Sequence, residues 1–129
     1  MRKKEFLGYF LSSVLLMLPS SGGWARESPP PVVDPTSIAL NQLPPQGVET
    51  YRLIFQGGPF PYEKDGVIFF NRERQLPVQK RGYYHEYTVK TPRSHDRGAR
   101  RIVCGGALTT PDVCYYSADH YTTFYKIVP

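Results

Sequence analysis

The segment Gly82-Tyr-Tyr-His-Glu-Tyr-Thr-Val89 contains the pattern of a β-strand over residues 83–89. Aromatic and β-branched residues favour strands, and Thr91-Pro92 closes this one. Because successive side chains of a strand point to opposite faces, Tyr84, Glu86 and Thr88 share one face. Residues 83, 85, 87 and 89 share the other. We therefore predict a strand that carries one carboxylate among aromatic rings.

Further short strands are predicted on both sides of this segment. They lie at 67–70, 100–104, 115–116 and 121–128, between turns and polar loops. Alternation along 100–104 places Arg101 and Val103 on one face and Arg100 on the other. One helix followed by sequential strands indicates an α+β fold, with a main N-terminal helix packed on a twisted antiparallel sheet of about five strands.

The helix is predicted before the first of these strands. Two prolines at 44 and 45 suit a first helical turn, and Gly57-Gly58 suits a helix end. The apolar residues at helical spacing between them are Val48, Tyr51, Ile54 and Phe55.

The N-terminal region differs in composition from the rest of the chain. A basic head, a mostly apolar run at 6–18 and small residues at Gly23 and Ala25 are the parts of a secretory signal peptide. The run is shorter than the ~20 residues that span a bilayer, which argues against a membrane anchor. We predict a signal peptide at 1–25, an extended arm at 26–42 and one folded domain at 43–129. The mature chain is then expected outside the cytoplasm, secreted or periplasmic, without further membrane association.

Charge and cysteine content limit the class of protein. Removal of residues 1–25 takes away three basic residues and one acidic residue, so the formal charge falls from +5 to +3. This moderate charge suits contact with a polyanion at one site and excludes a histone-like protein. Cys104 and Cys114 are too few for a disulfide scaffold or a structural zinc site. In an exported protein, these two cysteines either form a disulfide across a predicted hairpin or remain small core residues.

Four polar side chains suggest the chemistry. Glu86, Arg97, Arg101 and His120 supply a carboxylate, two guanidiniums and an imidazole on or beside adjacent predicted strands. Cleavage of RNA needs a base for the ribose 2′-hydroxyl, an acid for the departing 5′-oxygen and cations for the phosphorane. This chemistry requires no metal or cofactor, and we see no set of residues suited to hold a metal.

An ordered set of motifs carries a family resemblance. The motifs are Gly58-Pro-Phe-Pro-Tyr62, Asp65-Gly-Val67, Asn71-Arg-Glu73, Leu76-Pro77, the segment 82–89, Thr91-Pro92, Arg97-Gly98, Arg100-Arg101 and Asp119-His-Tyr121. With them, the sequence resembles the small secreted guanyl-specific ribonucleases of bacteria, the barnase-like family, and in particular its Tyr-Tyr-His-Glu-Tyr subgroup. The match runs from about Leu43 to Ile127, so it implies the microbial ribonuclease fold for the domain at 43–129.

The resemblance implies a role for each matching residue. Glu86 matches the general base, His120 the general acid, and Arg97 and Arg101 the arginines that hold the scissile phosphate. Substrate-binding residues implied by the same match are Phe69, Phe70, Asn71, Arg72, Glu73 and Tyr121. The reaction implied is transesterification to a 2′,3′-cyclic guanosine phosphate, followed by hydrolysis to the 3′-phosphate.

The expected substrate follows from the chemistry of guanine. An ionised Glu73 can accept hydrogen bonds from N1–H and the N2 amine, a pair that adenine does not offer and that is worth about 1–3 kcal/mol. Access to this edge requires an unpaired base, so we expect single-stranded RNA as the substrate. DNA lacks the 2′-hydroxyl and should not be cut. We expect a monomer, and the family also implies an acidic, barstar-like protein inhibitor as a further partner.

Other interpretations compete with some of these assignments. Arg72 either stacks on the base or is simply exposed. His85 faces away from Glu86 and is interpreted as structural, while His95 and Arg100 are interpreted as surface residues. The alternative function is a non-catalytic RNA- or guanine-nucleotide-binding module on the same fold.

Overall fold

The structure of the protein is a computed structural model that describes residues 34–129. The predicted signal peptide at 1–25 and the first part of the predicted arm lie outside the described residues. Within the described part, no helix is long and apolar enough to cross a membrane.

One helix and six strands make up the fold. They are β1 Ser37–Ala39, α1 Pro45–Gln56, β2 Val67–Ile68, β3 Tyr84–Thr88, β4 Arg101–Gly106, β5 Pro111–Ser117 and β6 Tyr125–Val128, with a 3₁₀ turn at Leu40–Gln42. The strands form one sheet in the order β1-β6-β5-β4-β3-β2. Neighbouring strands are antiparallel, except that β1 runs parallel to β6. The predicted α+β architecture is confirmed.

The observed sheet differs from the predicted one in two details. The sheet has six strands instead of about five, and it is mixed rather than purely antiparallel, because Ser37–Ala39 pairs with Lys126–Val128. This strand lies inside the stretch 26–42 that we assigned to an extended arm. Residues 37–39 therefore belong to the sheet, since pairing with β6 satisfies backbone groups of this segment.

The helix begins and ends where the two signals predicted. Pro45 is its first residue, and Gly57 closes it in the left-handed conformation with φ of 89°, where glycine has no steric penalty. Its buried residues are Gly47, Thr50 and Ile54, whereas Val48 and Phe55 are exposed. The helix residues that face the sheet are therefore not the set that the spacing of apolar residues predicted.

Both faces of the sheet are covered. The face under the helix holds the main core, formed by Leu43, Ile54, Tyr87, Val89, Ile102, Cys104, Cys114, Tyr116 and Ile127. The opposite face carries a smaller cluster of Leu76, Tyr84 and Val103, bordered by the rings of Phe69, Tyr83, Tyr115, Tyr121 and Phe124. The two sets agree with the alternation predicted for residues 84–89 and for β4. The prediction is wrong for Tyr83, which borders the smaller cluster because β3 begins only at Tyr84.

A disulfide joins the two central strands. Cys104 on β4 and Cys114 on β5 are directly paired in register and bonded, with an S–S distance of 2.02 Å. Of the two states considered for these cysteines, the disulfide is confirmed. Both residues are buried in the core under the helix, so the bond lies on the other face from Glu86.

Candidate active site

Glu86 lies at the centre of β3, on the sheet face that the helix leaves free. Its backbone pairs with Val67 on one side and Val103 on the other, so the carboxylate projects from a strand held at both edges. Its side chain is 16% exposed. Oε1 accepts a hydrogen bond of 2.5 Å from the hydroxyl of Tyr121 and lies 3.6 Å from Nη2 of Arg97.

Arg97 is held in place by Thr88. Nε and Nη2 of Arg97 donate to the hydroxyl oxygen of Thr88 at 3.0 and 2.8 Å. Thr88 is two residues after Glu86 on β3, so Glu86 and the residue that binds Arg97 lie on the same face of one strand. The backbone of Thr88 is itself fixed, because its N–H donates to Asp65 and its carbonyl accepts from Thr50 on α1. Sequence reasoning missed this role of Thr88.

Arg101 is buried, with 3% of its surface exposed. Nη1 donates to the carbonyl oxygens of Gly98 and Arg100 at 3.0 and 2.8 Å, and Nε donates to the Tyr121 hydroxyl at 3.2 Å. The Tyr121 oxygen therefore accepts from Arg101 and donates to Glu86. The three groups form a short chain of hydrogen bonds that joins a buried cation to the carboxylate.

Burial and this hydrogen bond to Glu86 raise the pKa of Tyr121 to about 12, with burial the larger cause. The nearby guanidinium of Arg101 opposes the shift. The tyrosine therefore stays protonated, and able to donate, at every pH where such a site is expected to work.

His120 lies on the loop between β5 and β6, in a conformation that is uncommon for residues other than glycine. The φ angles of His120 and Tyr121 are 56° and 74°. Asp119 holds the loop, since its Oδ1 accepts from the Ser117 hydroxyl and from the Thr123 backbone N–H. The Thr123 hydrogen bonds are also the main reason that the pKa of Asp119 is lowered.

The imidazole of His120 is exposed beside the other candidate groups. Its ring centroid is 4.7 Å from that of Tyr121. Its backbone N–H donates to the carbonyl oxygen of Ala99, so the histidine is anchored to the chain just before β4. The predicted strand at 121–128 is wrong in its first part, because β6 begins only at Tyr125 and residues 119–124 form this loop.

The predicted guanine-binding segment is a tight loop organised by Asn71. The Asn71 side chain donates to the carbonyl of Leu76 at 2.9 Å and accepts from its N–H at 3.1 Å. Both polar side-chain atoms of Asn71 are thus used inside the loop, and φ at this residue is 54°. Within residues 34–129, the backbone N–H groups of residues 71–73 make no hydrogen bond. They remain available to a ligand, and Glu73 is exposed beside them.

One cleft of about 590 Å³ joins the loop to the catalytic candidates. It is lined by Ile68, Phe69, Phe70, Asn71, Arg72, Glu73, Gln75, Glu86, His120, Tyr121, Thr122 and Phe124. The Phe69 ring lies 5.0 Å from the Tyr121 ring, so two aromatic faces border it. Arg97 and Arg101 are not among the lining residues, but Arg97 contacts Glu86 and Arg101 contacts Tyr121.

Sequence reasoning missed several residues that shape this cleft. Nε2 of Gln75 donates to the carbonyl of Thr122 at 2.9 Å and so ties the Asn71 loop to the His120 loop. Phe124 extends the aromatic border, with its ring 6.0 Å from that of Phe69. Neither contact has a local signal in the sequence, because the partners are 47 and 55 positions apart.

Three further polar residues do not line the cleft. Burial lowers the pKa of His85, which pairs with Cys104 and Ile68 and takes no part in the contacts described above. His95 is exposed on a loop, whereas Arg100 is only partly exposed before β4, with its carbonyl bound to Arg101. Among residues 34–129, no three His, Cys, Asp or Glu side chains are grouped in a way that could hold a metal ion.

A family model described as ribonuclease matches residues 27–128. The chain belongs to the ribonuclease family. Among curated relatives it is 54% identical over 88 residues to the guanyl-specific ribonuclease Sa of Kitasatospora aureofaciens, covering 68% of this chain and 88% of the relative. It is 52% identical over 87 residues to the guanyl-specific ribonuclease St of Saccharopolyspora erythraea, covering 67% of this chain and 82% of that relative. The predicted family is confirmed.

Solved structures of the family share the fold. A crystal structure of ribonuclease Sa2 with guanosine-2′-cyclophosphate aligns with a TM-score of 0.66 at 48% identity, covering 73% of this chain and 96% of that one. A structure of ribonuclease Sa2 in complexes with mononucleotides aligns with a TM-score of 0.68 at 46% identity, covering 78% and 98%. The fold is therefore that of the microbial ribonucleases.

Proposed function

We propose that this protein is a secreted, metal-independent endoribonuclease that cleaves single-stranded RNA after guanosine. One observation carries the proposal: the carboxylate of Glu86, the imidazole of His120 and the loop at 69–73 all line a single cleft. The base, the acid and the recognition loop of the reaction are then within reach of one nucleotide. The names of the relatives, which are guanyl-specific ribonucleases, support the same activity.

In the first step, Glu86 accepts the proton of the ribose 2′-hydroxyl. The 2′-oxygen attacks phosphorus, and His120 donates a proton to the 5′-oxygen as its bond to phosphorus breaks. The products are a 2′,3′-cyclic phosphate and a free 5′-hydroxyl. In the second step the roles are exchanged: His120 accepts a proton from water and Glu86 returns one to the 2′-oxygen, which leaves a 3′-phosphate.

The two arginines favour the charge that develops during the reaction. Nη2 of Arg97 is 3.6 Å from Oε1 of Glu86, so a phosphate oxygen beside the carboxylate is also close to a guanidinium. Arg101 adds a second, buried positive charge one hydroxyl away. Cations fixed in advance stabilise a pentacoordinate phosphorane without reorganising during the step.

Guanine is recognised by the loop at 69–73. The exposed carboxylate of Glu73 accepts from N1–H and the N2 amine, and the unused backbone N–H groups of 71–73 donate to O6. The rings of Phe69 and Tyr121 border the cleft and offer a face for stacking. Because the base must be unpaired and the nucleophile is the 2′-hydroxyl, double-stranded RNA is a poor substrate and DNA is not one.

The test compares the four dinucleotides GpC, ApC, UpC and CpC in the native protein and in Glu73→Gln. We expect the native protein to cleave GpC far faster than the others, and the variant to lose about 5- to 150-fold of that preference, since one amide cannot accept both hydrogen bonds. Glu63→Gln, on another exposed loop, serves as the matched control. Equal cleavage of all four dinucleotides by the native protein contradicts the proposal.

Location and partners complete the proposal. Residues 1–25 act as a signal peptide, and the mature chain works as a monomer outside the cytoplasm without contact with a membrane. Its basic site makes an acidic, barstar-like protein a suitable inhibitor. The alternative, a binding module without catalysis, requires that Glu86 or His120 be misplaced. It is favoured only if the folded protein binds guanosine-containing RNA and leaves it intact.

A further inference from the structure

A second groove adjoins the cleft along the recognition loop. It has a volume of about 280 Å³ and shares the residues Phe69, Phe70 and Asn71 with the cleft. Its other borders include Arg74, Lys80, Arg81 and Tyr84. We call it the Phe70 groove. None of the proposed catalytic residues lines it, so the mechanism gives it no role.

The surroundings of the Phe70 groove are strongly basic. Four exposed cations, Arg72, Arg74, Lys80 and Arg81, fall within ten residues that contain only one acid, Glu73. In the part of the chain that the structure describes, none of the four forms a salt bridge. Their charge is therefore not neutralised within the protein, and a polyanion is the partner that such a patch attracts.

An exposed aromatic ring lies beside two of these cations. Phe70 is 49% exposed, although a large apolar side chain gains free energy by burial. Cζ of Arg81 is 5.2 Å from the centroid of its ring, and Cζ of Arg72 is 5.5 Å from it. An accessible ring among guanidiniums is the composition of surfaces that bind single-stranded nucleic acid by stacking and phosphate contact.

The position of the groove indicates which part of the RNA reaches it. The nucleotide on the 3′ side of guanosine leaves from the 5′-oxygen that His120 protonates, so it lies at the His120 end of the cleft. The Phe70 groove meets the cleft only along Phe69, Phe70 and Asn71 and is not lined by His120 or Tyr121. The strand on the 5′ side of guanosine is therefore the one free to cross the recognition loop into the groove.

We propose that the Phe70 groove binds the nucleotides on the 5′ side of guanosine, with Lys80 and Arg81 contacting phosphates and the Phe70 ring stacking on a base. This inference rests on the proposed function, because it takes guanosine to occupy the cleft. Binding in the groove makes the enzyme more efficient on RNA that extends to the 5′ side of the cleavage site than on short fragments.

Binding is tested with RNA octamers that are 2′-O-methylated throughout and therefore cannot be cleaved. One has its single guanosine at the seventh position and extends to the 5′ side; the other has it at the second position and extends to the 3′ side. The variant is Lys80→Gln/Arg81→Gln. We expect it to bind the 5′-extended octamer about tenfold more weakly, with a log–log salt slope reduced by about 1.4, which is two phosphate contacts. Binding of the 3′-extended octamer should be unchanged.

The matched control is Lys90→Gln/Lys126→Gln, which removes the same charge at two exposed positions outside the Phe70 groove, where these lysines border other cavities. Equal losses in the two double variants, equal losses for the two octamers, or no loss at all would each overturn the proposal. Cleavage of GpC by Lys80→Gln/Arg81→Gln is measured in parallel and should match that of the native protein. Binding without cleavage in the native protein would refute the proposed function and leave the groove assignment standing.

Discussion

The hydroxyl of Tyr121 donates a 2.5 Å hydrogen bond to Oε1 of Glu86, although the two residues are 35 positions apart in the chain. The same hydroxyl accepts from the buried Arg101, so the tyrosine orients the carboxylate and connects it to a fixed positive charge. The orientation of Glu86 thus depends on the loop that carries His120. The proposed base and the proposed acid are positioned by one continuous set of contacts.

Removal of this hydroxyl should affect turnover more than substrate binding. In Tyr121→Phe, the ring beside Phe69 remains while the carboxylate loses a charge-assisted hydrogen bond worth about 1.5–3 kcal/mol. We expect kcat on GpC to fall about 10- to 100-fold with a much smaller change in KM. Tyr125→Phe, at an exposed position of β6, is the control and should behave as the native protein. An unchanged kcat in Tyr121→Phe would refute the orienting role.

Substitution of the proposed base should abolish most of the activity without unfolding the domain. Glu86→Gln keeps the size of the side chain but cannot accept a proton, so we expect kcat/KM on GpC to fall about 10²- to 10⁴-fold. Circular dichroism and the thermal midpoint report whether the fold survives. Glu63→Gln provides the matched change at an exposed site. Full activity in Glu86→Gln would exclude this residue as the base.

The proposed acid should be visible in the pH dependence. Because the base must be ionised and the acid protonated in the first step, the native protein should show a bell-shaped profile of kcat/KM. His120→Ala should lower the rate about 10²- to 10⁴-fold and remove the decline on the alkaline side. His95→Ala, on an exposed loop, should leave both limbs unchanged. An alkaline limb that persists in His120→Ala would assign it to another group.

Stability should fall in alkaline solution because burial raises the pKa of several tyrosines, two of them strongly. The pKa of Tyr84 and that of Tyr121 are each raised to about 12, in both cases mainly by burial, against an ordinary value of 10.0. Between these two values the unfolded chain releases protons that the folded one retains. The stabilisation is therefore complete below pH 10 and is lost as the pH rises towards 12.

Ionisation of Tyr84 in the unfolded chain should lower the free energy of unfolding by about 1–1.5 kcal/mol by pH 11, and ionisation of Tyr121 should lower it by the same amount. Urea titrations at intervals between pH 9 and pH 11 measure the loss. In Tyr84→Phe, which also lacks the hydrogen bond to the Pro77 carbonyl, stability at pH 9 should be lower and its decline with pH shallower. The same decline in the native protein and in the variant would show that Tyr84 does not contribute.

The sequence predicted the parts of the site that lie on regular strands. Alternation along 83–89 grouped Glu86 with Thr88, and alternation along 100–104 separately grouped Arg101 with Val103. The register of β3 with β4 then shows that the two groups lie on the same face. The helix was located by its proline and glycine boundaries, but its buried face was not, because Thr50 packs inward to bind the Thr88 carbonyl. Because Thr50 is polar, the spacing of apolar residues gives no indication that it is buried.

Features that depend on distant contacts were not predictable. The turn at His120 and Tyr121 is stabilised by hydrogen bonds that Asp119 accepts from neighbouring residues. The His120 N–H also donates to the carbonyl oxygen of Ala99. Because these contacts are not visible in the local sequence, the aromatic and β-branched residues there predicted a strand where a loop forms. Likewise, β1 is only three residues long and pairs with β6 from the far end of the chain. Its strand character comes from that partner rather than from its own sequence.

Metal-independent cleavage after guanosine is measured by incubating residues 26–129 with single-stranded RNA in EDTA and mapping the cut sites and their ends. We expect cuts only after guanosine, 2′,3′-cyclic phosphate ends that later become 3′-phosphates, and no cleavage of DNA of the same sequence. Cleavage that requires a divalent metal, or cuts after all four bases, would contradict this expectation.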